Sequence, residues 1–252
     1  MPSHFDLTGK AAIVTGSRTG LGQGIALALA QAGARIVGVD RGEAHETARL
    51  IGEAGGDFRH IQADLRTTAP IADIVGDTLD AYGALDILVN NAGIIRRADA
   101  LDFTEADWDD VLNVNLKAAF FLAQASARAM LACGRGGKII NITSMLSFQG
   151  GIRVASYTSA KSGVMGLTRL LACEWAARGI NVNAIAPGYM ATDNTAALRA
   201  DPERNAQILV RIPAGRWGRP SDLAGVAVFL ASDAAAYVHG ATIPVDGGWL
   251  AR

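Results

Sequence analysis

Cysteine is scarce in this sequence: Cys133 and Cys173 are the only two among 252 residues. They lie far apart and form no C-x-x-C pair, so they offer neither a disulfide framework nor a thiol redox motif. Free cysteines of this kind are usually buried, and they fit a reducing compartment. A small secreted fold held by disulfides is therefore excluded.

An excess of either charge is also lacking. The chain has 23 Lys and Arg against 24 Asp and Glu, a formal net charge of -1, and no basic block. Nothing in this balance attracts nucleic acid or anionic lipid. No apolar run approaches membrane-spanning length, and residues 1–10 have no apolar signal core. We expect a cytoplasmic protein with neither a nucleic-acid nor a membrane partner.

Apolar residues are plentiful, at 50% of the chain, which argues for a large core and against disorder. Short apolar runs predict strands at 11–15, 35–39, 58–63, 85–89, 137–143, 180–186 and 242–245. Helical patterns separate these runs, and right-handed crossovers then give a mostly parallel sheet with helices on both faces. We predict an α/β fold, with one doubly wound Rossmann-type sheet of about seven strands forming a single domain over residues 1–252.

The helical patterns can be placed along the chain. They predict helices at 23–32, 104–131, 156–178 and 221–231, and two more that begin near Glu43 and Pro70. A polar, proline-containing stretch at 189–218 is the one long break in regular pattern, and we assign it to a substrate loop.

Glycines follow the first strand where the chain enters a helix, in the sequence GSRTGLG at 16–22. They allow a tight turn and a close approach of the backbone to a ligand, and the helix N-terminus attracts a pyrophosphate. A packed strand-to-helix turn is the alternative. The cofactor-binding candidates here are Gly16, Arg18, Thr19, Gly20, Leu21 and Gly22.

Asp40 ends the second strand, where a carboxylate can accept hydrogen bonds from the adenosine ribose. Its charge would repel a 2′-phosphate, which favours NAD over NADP. Arg18 and Arg41 could each reach a phosphate, so NADP is possible. The alternative role for Asp40 is to cap the helix that begins near Glu43.

Polar or small residues also follow the other strands, and ligands of such sheets lie at these carboxyl ends. Asp64 could accept from an adenine amino group or cap the helix near Pro70. Asn90 is expected to join neighbouring strands, and Gly93 to permit a close approach to a ligand. The further cofactor-binding candidates are Asp64, Leu65, Asn91, Ala92, Gly93, Pro187 and Gly188.

Tyr157 and Lys161 are four residues apart, so on a helix they share one face. A phenol has an unperturbed pKa of about 10, and a neighbouring ammonium favours its ionised form. The pair could then exchange a proton nearer neutral pH. Ser144 lies just upstream, at the end of the fifth strand. The alternative is a surface tyrosine beside a surface lysine.

The predicted helix at 104–131 begins with Thr104 as its cap and carries Asn115 in an apolar run. Asparagine is unfavourable inside a helix because its side chain competes for backbone partners. Two explanations stay open: a buried amide that holds a water molecule, or a core asparagine bonded to the protein.

The chain resembles the short-chain dehydrogenase/reductase family over essentially its full length. The residues that carry the resemblance are the T-G-x-x-x-G-x-G loop at 15–22, the NNAG motif at 90–93, Asn115, Ser144, Tyr157, Lys161, Pro187, Gly188 and Thr192. It implies an NAD(P)-dependent oxidoreductase acting on a secondary alcohol or ketone. No metal is implied, and the four histidines lie outside every motif.

The resemblance also assigns roles to individual residues. Tyr157 would be the acid/base, and Ser144 would hold the substrate oxygen. Lys161 would bind the nicotinamide ribose and lower the pKa of the tyrosine. Asn115 would anchor a proton-relay water, and Thr192 would contact the nicotinamide amide.

Within the family, the chain looks most like dehydrogenases of keto-deoxy sugar acids, of the 2-deoxygluconate or 2-keto-3-deoxygluconate type. The similar stretches are 90–97, 144–153, 186–192, 212–218 and 245–252. Arg96, Arg97 and Arg153 flank the predicted catalytic residues, and a guanidinium matches a carboxylate. Gln149 could bind a sugar hydroxyl. The alternative is that these arginines face solvent or another subunit.

The expected substrate-binding residues are Arg96, Ser144, Gln149, Arg153 and Tyr157. A homotetramer is implied, with helices 104–131 and 156–178 at one interface and Trp249 and Leu250 at another. The competing functions are a 3-oxoacyl reductase, a polyol dehydrogenase, and a non-catalytic dinucleotide sensor.

Overall fold

The computed structural model describes residues 4–252. Residues 1–3 lie outside the described part. They belong to the predicted domain at 1–252 and to the N-terminal stretch at 1–10. Seven parallel strands form one sheet in the order β3-β2-β1-β4-β5-β6-β7. The strands are β1 Ala11–Thr15, β2 Arg35–Asp40, β3 Phe58–Gln62, β4 Ile87–Asn90, β5 Gly137–Ile142, β6 Ile180–Pro187 and β7 Thr242–Val245. The predicted doubly wound α/β fold is confirmed.

Helices cover both faces of the sheet. They are α1 Gly20–Gln31, α2 His45–Glu53, α3 Ile71–Tyr82, α4 Glu105–Leu112, α5 Ala118–Ala132, α6 Ala155–Trp175, α7 Ala196–Ala200, α8 Pro202–Leu209 and α9 Ala224–Ala231. In β1, Ala12 and Val14 pack with α1 and α9, while Ile13 packs with α3 and α5. Because successive residues face opposite sides, a strand buried on both faces must be apolar throughout.

The order of the strands reverses at β1, which pairs with β2 on one side and β4 on the other. The connections leave β1 and β4 toward opposite faces, and this opens a crevice at their carboxyl ends. The predicted polar residues at the strand ends meet at this crevice.

The long helix predicted at 104–131 is interrupted. Thr104 caps it as expected, its hydroxyl accepting from Asp107 N at 3.1 Å. Residues Asn113–Lys117 then form a π-helical turn between α4 and α5. A π-turn adds a residue to the helix locally and redirects the side chains around it. Asn113 and Asn115 interrupt the apolar pattern here, but such an interruption does not distinguish a π-turn from a continuous α-helix.

Other helix boundaries also differ from the predictions. The first helix begins at Gly20, earlier than predicted, so two of the loop glycines belong to it. α6 ends at Trp175 and continues as a 3-10 turn to Arg178. The segment Pro220–Leu223 is a 3-10 turn that precedes α9.

The stretch at 189–218 is not the irregular excursion that was predicted, since it contains α7 and α8. Its two ends meet through a bridge between Met190 and Gly218. Its apolar side chains form a small separate cluster with Met145 and Trp249. A polar sequence can still hold short helices when a few apolar residues pack on one side.

Cys133 and Cys173 are both exposed, so the expectation of buried thiols was wrong. Cys133 follows the last residue of α5, and Cys173 lies on the outer side of α6, where the core does not reach. Within residues 4–252, no helix combines the length and apolarity that a membrane span requires.

Candidate active site

A cleft of about 520 Å³ lies at the carboxyl ends of the strands. This volume is within the range of small-molecule and cofactor sites. Its walls come from the glycine loop, the ends of six strands and the start of α6. The predicted residues that line it are Gly16, Arg18, Thr19, Gly20, Leu21, Asp40, Arg41, Asp64, Leu65, Asn91, Ala92, Gly93, Arg96, Ser144, Tyr157, Lys161, Pro187, Gly188 and Thr192.

The glycine loop is packed so tightly that Gly16 and Gly22 have no room for a side chain. Gly16 has a φ of +67°, and a Cβ there would lie 2.8 Å from Asn91 Nδ2. A Cβ on Gly22 would overlap the carbonyl oxygen of Gly16. Asn91 Nδ2 donates to the carbonyl oxygens of Thr15 and Gly16 at 2.9 and 3.2 Å, which fixes the loop against the end of β4.

The start of α1 faces the cleft with its positive end. The side chain of Thr19, the N-cap, makes no capping bond, and the first turn carries no acidic residue. Helix N-termini of this kind attract anions because N–H groups and the helix dipole both point outward. The glycines of the loop and this helix end together fit the pyrophosphate of a dinucleotide.

Asp40 lies at the rim of the cleft. Its Oδ1 accepts from Arg41 N at 2.8 Å, and its Oδ2 accepts from Arg18 N at 3.3 Å. The Nε atom of Arg18 is 3.7 Å from Oδ1. The alternative capping role was wrong, since α2 is preceded by Ala44. One carboxylate and two arginines therefore share this part of the rim.

Asp64 follows β3 and forms a two-point ion pair with Arg66, at 2.9 and 2.6 Å from its Oδ2. This hydrogen bonding holds the pKa of the Asp64 carboxyl below its ordinary value. Asp64 does not cap α3, which begins after Pro70. Asn90 joins two elements as expected, donating to Ala119 O and Asn141 Oδ1.

Ser144, Tyr157 and Lys161 meet at the far end of the cleft. Ser144 follows β5, its hydroxyl accepts from Leu146 N at 3.2 Å, and it lies near enough to Tyr157 to lower the pKa of the phenol. Lys161 is buried one turn further along α6, with its Nζ donating to Ile142 O at 2.6 Å. The same Nζ lies 5.7 Å from the centre of the Tyr157 ring. The three side chains therefore form one cluster, as the spacing predicted.

Burial dominates the acidity of this cluster. It lowers the pKa of Lys161 to about 8 because the charged form loses its hydration. It also raises the pKa of Tyr157, while the Ser144 hydrogen bond and the charge of Arg97 act in the opposite direction. Burial thus leaves the pKa of Tyr157 above its ordinary value. The Nζ of Lys161 donates to Ile142 O, and the expected lowering of the tyrosine pKa by Lys161 stays a prediction.

Asn115 lies buried in the π-helical turn beside this cluster. Its Oδ1 accepts from Ile94 N at 2.8 Å, and its Nδ2 donates to Ile94 O at 2.9 Å. Both ends of the side-chain amide thus pair with one backbone residue. Of the two explanations left open, the side chain fits the core asparagine bonded to the protein.

Three of the expected substrate residues are engaged elsewhere. Arg96 lines the cleft, but its guanidinium is ion-paired with Asp107 and Asp110 at 3.2 and 2.9 Å. Outside the cleft lining, Arg153 pairs with Asp99 at 3.2 Å, and Gln149 Oε1 accepts from Trp249 Nε1 at 3.3 Å. The sequence prediction did not include these ion pairs of the two arginines with acidic residues.

Arg97 is the arginine whose charge acts on Tyr157, and it lies outside the cleft lining. It was one of the three arginines expected to match a carboxylate, but was not among the expected substrate-binding residues. Its guanidinium is exposed and donates to Asn194 O at 3.3 Å, in the loop at 189–218. The sequence gives no signal that separates it from Arg96, because the two are adjacent and identical in type.

Comparison with known proteins agrees with this geometry. A family model described as enoyl-(acyl carrier protein) reductase matches residues 16–250. The 2-dehydro-3-deoxy-D-gluconate 5-dehydrogenase of Escherichia coli K12 is 62% identical over 250 residues, which cover 99% of both chains. The chain belongs to the short-chain dehydrogenase/reductase family. The resemblance seen in the sequence is confirmed.

Solved structures of the family are also similar to this chain. A protein from Agrobacterium tumefaciens with bound NADP has a TM-score of 0.94 and 60% identity, over 100% of both chains. A gluconate 5-dehydrogenase from Burkholderia cenocepacia, in complex with NADP and tartrate, has a TM-score of 0.94 and 42% identity, over 99% of this chain and 98% of that one. The protein is an oxidoreductase acting on a CH–OH group, with a nicotinamide dinucleotide as its cofactor.

Proposed function

We propose that this short-chain dehydrogenase/reductase interconverts a secondary alcohol and a ketone on a keto-deoxy sugar acid, of the 2-dehydro-3-deoxy-D-gluconate type. The observation that carries the proposal is the cluster of Ser144, Tyr157 and Lys161 in the cleft, with the charge of Arg97 acting on Tyr157. The names of the relatives support the same substrate class. We treat residues 1–252 as one catalytic domain, with 189–218 as its substrate loop.

Tyr157 acts as the acid/base. Because burial raises its pKa, the phenol is protonated at neutral pH and can deliver a proton to a ketone oxygen. Ser144 holds the same oxygen through its hydroxyl, which orients the reacting carbon. In the opposite direction Tyr157 takes the proton from the alcohol. When bound, the nicotinamide supplies or accepts the hydride.

Lys161 and Asn115 are proposed to position the cofactor and the groups around Tyr157. Lys161 is proposed to hold the nicotinamide ribose, and its ammonium offsets negative charge that develops on Tyr157. Asn115 fixes the Ile94 peptide beside the cleft through two hydrogen bonds. A relay water held near this π-turn stays part of the proposal, as does the contact of Thr192 with the nicotinamide amide.

Arg97 replaces Arg96, Gln149 and Arg153 in the proposal as the group that binds the substrate carboxylate. It is an exposed guanidinium whose charge acts on Tyr157, and its hydrogen bond in the structure is to a carbonyl oxygen. A carboxylate would be a stronger partner, because hydrogen bonds between two charged groups are the stronger kind. Recognition of an acid thus has a physical basis in a cation whose charge acts on Tyr157.

The dinucleotide is proposed to lie along the glycine loop, with NAD preferred and NADP accepted. Asp40 can bind the ribose hydroxyls of NAD and would repel the 2′-phosphate of NADP. Its ion pair with Arg18 weakens that repulsion, and Arg41 adds a second positive charge. The relatives solved with NADP fit a site in which these arginines accept the phosphate.

We further propose a cytoplasmic homotetramer. Trp108 on α4, Phe121 on α5 and Leu170 on α6 are exposed apolar side chains on the helices that were expected to pair. The second expected interface has less support, because Trp249 is buried within its own chain and the guanidinium of Arg211 lies 4.0 Å from the centre of its ring. Sedimentation at several concentrations would test the assembly.

A substrate comparison tests the proposed function. Reduction of 2-dehydro-3-deoxy-D-gluconate analogues, or oxidation of 2-deoxygluconate, would be followed with both cofactors beside acyl thioesters and simple polyols. The proposal requires turnover of the sugar acids. Turnover of thioesters alone would favour the competing 3-oxoacyl reductase. Tight cofactor binding without any turnover would favour a dinucleotide sensor.

A further inference from the structure

Two side chains, one buried and one half-buried, tie the glycine loop to the helices behind it. The hydroxyl of Thr47, on α2, donates to Ser17 O at 2.8 Å and lies 3.2 Å from Arg18 O. Gln23 Nε2, on α1, donates to Arg18 O at 3.2 Å and to the Thr47 oxygen at 3.0 Å. Thr47 is completely buried, although it lies on a helix whose other polar residues face solvent.

These contacts determine where the loop peptides point. In a trans peptide the C=O and N–H groups point in opposite directions, and residues 4–252 contain no cis peptide. The Ser17 carbonyl points to Thr47, and the N–H of the same peptide, on Arg18, donates to Asp40 at 3.3 Å. The Arg18 carbonyl points to Gln23, so the N–H of Thr19 faces the cleft that Thr19 lines.

We propose that Thr47 and Gln23 are positioning residues for the dinucleotide: they hold two loop carbonyls away from the cleft, so that the Thr19 N–H faces the phosphates while the Arg18 N–H holds Asp40. The proposal rests on the placement of the cofactor along the glycine loop. Without the two tethers, a peptide could turn its carbonyl oxygen toward a phosphate and repel it. Neither side chain lines the cleft, so both act through the backbone.

Valine has the shape of threonine without the hydroxyl, so Thr47→Val tests the tether. We expect it to weaken the binding of both NADH and NADPH by about tenfold, as measured by fluorescence titration. The ratio of the two dissociation constants should not change, because both cofactors carry the same pyrophosphate. Thr47→Ser keeps the hydroxyl and should restore wild-type affinity.

Thr78 supplies the matched control. It is also fully buried on a helix, but its hydroxyl donates to Ile74 O within its own helix at 2.7 Å. Thr78→Val should leave both affinities within about twofold of wild type. Gln23→Met should weaken both cofactors as Thr47→Val does, whereas Gln31→Met, at the exposed end of the same helix, should not.

The proposal is overturned if Thr47→Val binds both cofactors as tightly as Thr78→Val, or if it weakens only one of them. Arg18→Ala and Asp40→Ala separate this result from a failure of cofactor placement. If those two variants change the NADH to NADPH ratio while Thr47→Val does nothing, the placement stands and the tether is refuted. If no loop variant changes binding, the placement falls as well.

Discussion

Lys161 lies with its Nζ 2.6 Å from the carbonyl oxygen of Ile142, the last residue of β5. The bond joins α6 to the carboxyl end of β5 and holds the buried amino group of Lys161 in place. Ser147 adds a second link, since its hydroxyl donates to Lys161 O at 2.8 Å. The helix and the turn after β5 are thereby locked to each other, and this sets the distance between Ser144 and Tyr157.

The buried lysine predicts how stability changes with pH. Burial lowers the pKa of Lys161 to about 8, below that of an unfolded lysine. Between these two values the unfolded chain binds more protons, so stability should rise with pH. The cost of the buried charge is complete below pH 8 and disappears as pH rises toward about 10.

Lys161→Met should remove this dependence. We expect wild type to gain roughly 2 to 3 kcal/mol relative to the variant between about pH 7 and pH 10. Urea unfolding across this range measures the difference. A difference between the two proteins that stays flat with pH would show that Lys161 is hydrated in solution.

Tyr157→Phe should remove the acid/base while keeping the ring. We expect kcat to fall by at least about a hundredfold, with cofactor affinity within about twofold of wild type. Steady-state kinetics and fluorescence titration measure the two quantities. Tyr237, which is almost fully exposed, supplies the control, since Tyr237→Phe should leave both unchanged. Activity near wild type in Tyr157→Phe would refute the assigned role.

Arg97→Met should separate acid recognition from chemistry. Loss of a charged hydrogen bond should raise the KM for a sugar acid by roughly ten- to a hundredfold. It also removes a positive charge that lowers the pKa of Tyr157, so the basic limb of the pH profile should move to higher pH. Arg153→Met, which breaks only an exposed ion pair with Asp99, is the control. Equal effects of the two variants on KM would contradict the assignment.

Asp40→Ala should change the choice of cofactor. Without the carboxylate, NAD loses its ribose partner and Arg18 is released for a phosphate. We expect the ratio of kcat/KM for NAD over NADP to fall by about tenfold, equivalent to about 1.4 kcal/mol. Asp77→Ala, on the exposed side of α3, should not change the ratio. An unchanged ratio in Asp40→Ala would mean that the carboxylate does not bind the ribose hydroxyls.

Much of the fold could be predicted because buried parallel strands leave a plain signal. The first and last strands, Ala11–Thr15 and Thr242–Val245, have the predicted bounds. The strand ends then placed the glycine loop, Asp40 and Ser144 at one cleft, since all strands run in the same direction. Topology turned distant sequence positions into neighbours.

The rest depended on side-chain partners that sequence spacing does not reveal. Arg96 and Arg97 cannot be distinguished in the sequence, yet in the structure Arg96 forms ion pairs with acidic residues of α4 and Arg97 does not. Gln149 is bonded to Trp249, a hundred positions away along the chain. Asn113 and Asn115 interrupt the apolar pattern at Asn113–Lys117, but only the backbone shows that this segment is a π-turn.

The position of a bound substrate tests the central claim most directly. A crystal structure of Tyr157→Phe with cofactor and 2-dehydro-3-deoxy-D-gluconate would show both ends of the acid. The account predicts the reacting oxygen within hydrogen-bond distance of Ser144 Oγ and the carboxylate on the Arg97 guanidinium. A sugar acid bound with its carboxylate on another group, and its ketone away from Ser144, would contradict it.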